Sequence, residues 1–218
     1  PNDSRIIKQI NSLASKSNFK ILGIGIKLKS ERSINSLKYK NLDLKSVALY
    51  SAYFKFLPRQ IKHVLNFTQL LIRILIETRG LKVDIVHCHD TLVLPIGVLI
   101  KKFKKAKLIY DAHELESNKN GQTKLMSLGT LIIEKKSWKY IDLLISVSNS
   151  ILKWYSKNIG PKKNILVLNS PLISTRFDSN NEKEKLGNNY FNNVFGIPDG
   201  CLIFIYVGYL TKGRGINQ

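Results

Sequence analysis

The sequence predicts an α/β protein built on a doubly wound parallel sheet. Short apolar segments, typical of buried strands, alternate with longer amphipathic segments that are typical of helices. Two of the apolar segments, 83–88 and 107–111, run directly into groups of ionisable side chains. Ligands of open parallel sheets bind outside the carboxyl ends of the strands, so we expect a functional site where these two segments end.

The individual elements follow from the spacing of apolar residues. The chain begins with a helix in which Ile6, Ile10 and Leu13 recur at helical spacing, and Gly80 closes a long second helix. After that helix, strands and helices alternate in the way that specifies parallel strands joined by helical crossovers. The predicted strands are 19–26, 45–50, 83–88, 107–111, 141–147 and 164–168, and the predicted helices are 3–16, 60–78, 91–105, 124–139 and 149–159.

A change in composition divides the chain. Asparagine, serine, lysine and glutamate dominate between Ser170 and Asn193, which indicates a linker. A further buried strand is predicted at 201–207, before a glycine-rich turn, and a lone strand cannot bury its own faces. We therefore expect an N-terminal domain that lacks its first strand, a linker and the start of a second domain, so that the chain is truncated at both ends. These regions are 1–173, 174–195 and 196–218 respectively.

The charge is strongly positive, since 35 lysines and arginines against 15 acidic residues give a net charge of +20. Such an excess attracts polyanions, although solvated lysines on helix faces account for part of it. The densest cluster, Lys101 to Lys107, directly follows the apolar stretch Leu92 to Ile100 and favours an anionic membrane surface as a partner. No apolar stretch reaches the ~20 residues that a spanning helix needs. Cys88 and Cys201 lie far apart, which fits a reducing compartment.

Six segments of the chain form a series at characteristic spacings. In order they are DIVHCHD, IYDAHE, IDLLISVSNSI, ILVLNSP, FGIPDG and IFIYVGYLTKGRGI. Taken together, they resemble the family 4 glycosyltransferases of the GT-B fold. This resemblance implies two Rossmann-like domains facing each other across a cleft, the first binding mainly the acceptor and the second a nucleotide diphosphate sugar. By that resemblance, the chain is the acceptor domain plus the start of the donor domain of a retaining hexosyltransferase that needs no cofactor, and alone it is expected to be inactive.

The resemblance also assigns site residues in the first domain. His113 is similar to the histidine that family members place near the donor sugar and the reaction centre, where it would be catalytic; the alternative is a structural histidine bonded to the backbone. Asp111 and Glu114 either orient this ring or cap the following turn. The residues expected to border the acceptor cleft are His89, Asp90, Asp111, Glu114 and Asn169.

The glycine-rich turn near the end of the chain is similar to the family's diphosphate-binding turn. Arg214 can offer a fork of donors to phosphate oxygens, and the flanking glycines allow the backbone to approach closely. The family often has an arginine where this sequence has Tyr209, and Lys212 is a candidate substitute. The expected diphosphate-binding residues are Gly208, Lys212, Gly213, Arg214 and Gly215.

Two histidines, one inside the 83–88 segment and one just after it, also suggest a candidate metal site. Alternation along a strand places His87 and His89 on one face. A site would need three coordinating groups around one ion, and the family fold requires no tightly held metal. We therefore expect no metal here.

The leading functional prediction is transfer of a sugar to a glycan or lipid-linked acceptor in cell-surface polysaccharide synthesis. The protein would be cytoplasmic and peripheral at the inner face of the plasma membrane. One alternative is a non-catalytic polyanion-binding module, although the basic cluster lacks a series of interleaved aromatic residues, being interrupted by Phe103 alone, and no specific nucleic acid is expected. The other alternative is a GT-B relative that epimerises a nucleotide sugar.

Overall fold

The computed structural model describes residues 4–16, 18–26, 39–50, 58–119, 121–170, 190–198 and 200–203. Four parallel strands form a sheet in the order β3-β4-β5-β6, and two further parallel strands, β1 and β2, pair with each other. The strands are β1 (Ile21–Ile26), β2 (Leu42–Val47), β3 (Ile85–His89), β4 (Lys107–Ala112), β5 (Leu143–Ser146) and β6 (Asn164–Leu166). The helices are α1 (Ser4–Ala14), α2 (Arg59–Thr78), α3 (Leu94–Lys104), α4 (Lys124–Ser137), α5 (Asn149–Asn158) and α6 (Tyr190–Phe195).

The predicted fold class is confirmed, and the differences are local. The helix predicted over 91–105 begins as a short 3₁₀ turn, Thr91–Val93, and becomes α-helical at Leu94, because Pro95 suits the first turn of a helix. The strand predicted over 45–50 lies three residues earlier, because Leu42 pairs in register with Ile21 of β1. Within the described residues the strands form two sheets, where the sequence predicted one.

Helix α3 packs closely against the four-stranded sheet. Its buried residues contribute to two apolar clusters, one containing Leu94 with Leu108 of β4, the other containing Ile96 with Leu70 of α2. The approach is close at Gly97, where an added Cβ would lie 2.2 Å from the sulfur of Cys88. The glycine therefore sets the distance between helix and sheet.

A buried carboxyl group joins α4 to the sheet. Glu134 is fully buried, and its Oε1 accepts hydrogen bonds from the hydroxyls of Tyr110 (2.8 Å) and Tyr155. Burial raises the pKa of Glu134, although these hydroxyls act in the opposite direction. The hydrogen bond between Glu134 and Tyr110 therefore holds α4 against the second half of β4.

The chain divides into two compact units, Pro1–Asn169 and Ser170–Gln218. In the second unit, α6 falls within the last part of the predicted linker. Residues 201–203 are not in a strand, and the remainder of the predicted strand 201–207 lies outside the described residues. Among the helices of the described ranges, none combines the length and apolar character needed to cross a bilayer.

Candidate active site

The candidate site lies where β3 and β4 end, an edge of the sheet that we call the carboxyl edge. His89 and Asp111 are direct partners in the parallel register. Because side chains alternate along a strand, His87, His89 and Asp111 lie on the same face. The register therefore brings together two histidines and one carboxylate that are more than twenty positions apart in the sequence.

Asp111 is the fixed centre of this group. Its side chain is fully buried, and Arg5 of α1 contacts both carboxylate oxygens, with Nη2 2.7 Å from Oδ1 and Nε 3.4 Å from Oδ2. Gln9, one helical turn further on, donates to Oδ2 over 2.8 Å. Burial by itself would raise the pKa of Asp111, but the contacts with His87, Gln9 and Arg5 lower it well below the usual range. Asp111 is therefore a carboxylate at neutral pH.

Three imidazole rings surround this carboxylate. His87 Nε2 and His89 Nδ1 each lie 3.6 Å from Asp111 Oδ2, beyond hydrogen-bond reach, and the two rings stack with centroids 4.3 Å apart. His113 Nε2 lies 4.0 Å from the same oxygen and 3.0 Å from His89 Nδ1. One of the last two nitrogens must donate and the other accept, so this contact couples the tautomers of the two rings. The side chain of His113 is 16% exposed and can be reached from solvent.

A second charged group borders the histidines. Lys119 holds three carboxylates, with Nζ 3.9 Å from Asp90 Oδ1, 3.4 Å from Glu114 Oε1 and 2.9 Å from Glu116 Oε2. Asp90 has a φ of 68°, an uncommon conformation that clusters at functional sites. Burial of Glu116 and the nearby Asp90 carboxylate raise the pKa of Glu116 to about 7, against the opposing effect of Lys119. Glu116 can therefore exchange a proton near neutral pH.

The histidines and Asp111 also meet the distance condition for a cation, since ligand atoms from His87, His89 and Asp111 lie within 4.8 Å of one another. The positive charge beside Asp111 disfavours a bound cation at this position. Arg5 already places a positive charge on both oxygens of Asp111, and a divalent cation would be repelled by it. The absence of a metal therefore stays a prediction.

The structure thus places five of the six site residues predicted for the first domain at one edge. One cluster contains His113, His89 and Asp111. Beside it, the carboxylates of Asp90 and Glu114 form ion pairs with Lys119. Asn169 is exposed and accepts a hydrogen bond from Lys8 over 3.3 Å. The predicted diphosphate-binding residues lie outside the described residues: Gly208, Lys212, Gly213, Arg214 and Gly215.

Sequence reasoning missed four residues at this edge. Arg5 and Gln9 carried no usable signal, because they lie with Ser12 on the polar side of the amphipathic helix α1, where solvent exposure is the ordinary expectation. Glu116 and Lys119 lie in a loop without a periodic pattern, and only the folded loop brings Lys119 to the three carboxylates.

A parallel α/β sheet with helical crossovers defines a Rossmann-like protein, a class whose ligands bind outside the carboxyl ends of the strands. Residues 36–171 match the family model described as Glycosyltransferase Family 4, so the chain belongs to that family. No curated protein matches the sequence.

Two solved structures of sucrose-phosphate synthase from Thermosynechococcus elongatus are similar to this chain, each at 10% sequence identity. One alignment covers 86% of this chain and 93% of that structure's chain, with a TM-score of 0.53. The other covers 75% of this chain and 41% of that chain, with a TM-score of 0.57. At this identity the similarity shows the fold alone.

Proposed function

We propose that this chain supplies the acceptor side of a retaining glycosyltransferase. The enzyme would move a hexose from a nucleotide diphosphate sugar to a glycan or lipid-linked acceptor in cell-surface polysaccharide synthesis. The observation that carries the proposal is the position of His113, 3.0 Å from His89 and beside the buried Asp111 carboxylate at the carboxyl edge. Membership of glycosyltransferase family 4 supports a sugar donor and an acceptor as the two substrates.

The chemistry of transfer suits this arrangement. The leaving diphosphate gains negative charge while the sugar gains positive charge at its anomeric carbon, and fixed dipoles aimed at these charges lower the barrier. His113 can donate a hydrogen bond to a sugar hydroxyl from a ring that His89 holds in place. Asp111 is fully buried, so it would act as a positioning residue for the imidazole rings beside it.

The other half of the reaction would use the glycine-rich turn. There Arg214, with Lys212, would contact the diphosphate, and the glycines Gly208, Gly213 and Gly215 would let the backbone approach it. The nucleotide sugar is a co-substrate in this scheme, and no cofactor takes part.

Replacing His113 by alanine in the intact protein tests the proposal. Because a preorganised donor would be lost near the reacting centre, we expect kcat to fall by about 100-fold or more. Transfer would be measured with a panel of UDP- and GDP-hexoses and glycan acceptors, with products identified by mass spectrometry. The midpoint of thermal unfolding should change much less than the rate, since His113 is partly exposed and belongs to neither apolar cluster.

Lys153→Ala is the matched control, because Lys153 is an exposed residue of α5 and should leave kcat unchanged. An unaltered rate in the His113 variant would remove His113 from the site. Conversion of the nucleotide sugar to an isomer, without any glycosylated acceptor, would overturn the transferase in favour of an epimerase.

A further inference from the structure

The positive charge is concentrated on the edge of the sheet opposite the candidate site. All four strands of the larger sheet are parallel, so their starts share one edge, which we call the amino edge. The segments that lead into these strands are 79–84, 101–107, 135–142 and 157–163. Together they contain thirteen lysines and arginines but two aspartates.

Contacts join the lysines of segments 101–107 and 135–142 into one surface. Lys101 and Lys107 both pair with Asp142 ahead of β5, the latter over 3.6 Å. Lys102 and Lys139, from different segments, lie 4.5 and 5.1 Å from the ring centroid of Tyr140. Among the residues that the structure describes, the carboxylates found in ion pairs with lysines of these four segments are Asp84 and Asp142.

The carboxyl edge has the opposite character. The ends of β3 and β4 and the loops that follow them carry four carboxylates and three histidines, and Lys119 contacts three of these carboxylates. The carboxylates are those of Asp90, Asp111, Glu114 and Glu116. The strands separate the two edges by about 20 Å, at roughly 3.3 Å per residue. That distance exceeds the screening length of ~8 Å at physiological salt. The lysines of the amino edge therefore have little electrostatic effect on a ligand at the candidate site.

We propose that the amino edge is a docking surface for an anionic lipid bilayer, which turns the carboxyl edge and its histidines away from the membrane. Phe103 favours a bilayer over a nucleic acid. Its side chain is 74% exposed among Lys102, Lys104 and Lys105, and an apolar residue ringed by lysines inserts at a lipid interface. A nucleic acid would be expected to stack on several exposed aromatic rings, but Trp138 is buried and Tyr140 lies beneath two lysines.

Binding of the 218-residue chain to vesicles tests the proposal. We expect cosedimentation with vesicles of phosphatidylglycerol and phosphatidylcholine, loss of binding in pure phosphatidylcholine, and weakening as salt rises. Lys105→Gln combined with Lys163→Gln removes two exposed charges from the amino edge and should reduce the partition coefficient about thirtyfold. Phe103→Ser should reduce it further without changing the charge.

Lys124→Gln combined with Lys153→Gln is the matched control, because it removes the same charge from exposed sites on α4 and α5 away from this edge. Its partition coefficient should stay within about twofold of the original. Equal losses in both double variants would show that net charge alone drives binding and would overturn the docking surface. Tighter binding to duplex DNA than to the vesicles, lost in the amino-edge variant, would overturn the lipid partner.

The orientation is tested with an environment-sensitive fluorophore on Lys105→Cys or Lys124→Cys, each with the exposed Cys201 changed to serine. The native Cys88 is buried and should not react. A blue shift on vesicle binding at position 105 but not at 124 is expected, and the reverse pattern would overturn the orientation. Vesicle binding requires no sugar transfer, so a chain that docks but whose intact enzyme transfers nothing would refute the proposed function alone.

Discussion

At the residue scale, Asp111 determines how the candidate site is built. A fully buried carboxylate is costly unless it is paired, and here Arg5 and Gln9 of α1 satisfy its oxygens. The same carboxylate is the common neighbour of three imidazoles. The first helix of the chain is therefore part of the site, although it lies about a hundred residues earlier in the sequence.

Changing Asp111 to asparagine should make stability depend differently on pH. At pH 7 the variant leaves the Arg5 charge buried without its partner, so the free energy of unfolding should fall by about 3–5 kcal/mol. The pKa of Asp111 is lowered in the folded state, so its stabilising contribution is present above the unfolded pKa of about 3.9 and declines as pH falls further. Urea unfolding at pH 7 and pH 3 should show the difference between wild type and variant shrinking at the lower pH.

Asp43→Asn is the control for this comparison, since the Asp43 side chain is 61% exposed and lies 3.7 Å from Lys45. It should change the free energy of unfolding by less than about 1 kcal/mol. A difference between wild type and the Asp111 variant that is as large at pH 3 as at pH 7 would show that the ionised carboxylate is not what stabilises the fold.

The residues of the site were predictable in part. His113, His89 and Asp111 follow apolar strands, and parallel pairing brings the ends of neighbouring strands together. Arg5 was not found, because sequence periodicity identifies the face of a helix but not the distant group that the face meets. Lys119 was not found because its position depends on loop conformation.

At the scale of elements, the packing of α3 on the sheet depends on the absence of a side chain at Gly97. An added methyl group would meet Cys88 Sγ at 2.2 Å and Leu108 Cδ1 at 2.9 Å, and both of these residues are buried. Gly97→Ala should therefore lower the free energy of unfolding by about 1–3 kcal/mol, despite the better helix propensity of alanine. Chemical denaturation with circular dichroism would measure the change.

Gly129 of α4 gives a matched comparison within the same molecule. Apart from the backbone of its own helix and its two chain neighbours, no atom of the described residues lies within 4 Å of a Cβ added there, so Gly129→Ala should raise the free energy of unfolding by up to about 1 kcal/mol. The two substitutions should therefore change the free energy of unfolding in opposite directions. Equal effects would mean that helix propensity, rather than the contact with Cys88, determines the response at Gly97.

Element types were predictable from periodicity, whereas element bounds depended on tertiary contacts. The order of helices and strands through β6 follows the alternation of apolar patterns. The position of β2 did not, because the prediction followed the apolar run that ends at Tyr50, whereas the pairing of β2 with β1 begins at Leu42. The separation of β1 and β2 from the larger sheet leaves no mark on the sequence pattern of either strand.

At the scale of the whole molecule, the end of the first unit is tied back to its beginning. Arg5 Nη1 donates to the carbonyl of Val167 over 2.8 Å, and Lys8 bonds to Asn169. These contacts close the unit Pro1–Asn169 just after its last strand. The predicted boundary at residue 173 is four residues further along.

A chain ending at Asn169 should therefore keep a cooperative unfolding transition, with a midpoint close to that of the 218-residue chain, because it retains β6 and the Val167 carbonyl. A chain ending at Lys163 removes both, exposes β5 as an edge strand and takes one acceptor from the buried Arg5, so its midpoint should fall by several degrees or more. Scanning calorimetry of the three chains measures this order. If the chain ending at Asn169 unfolded as early as the one ending at Lys163, the stability of the first unit would have to come from residues after Asn169, and the division of the chain at that point would be wrong.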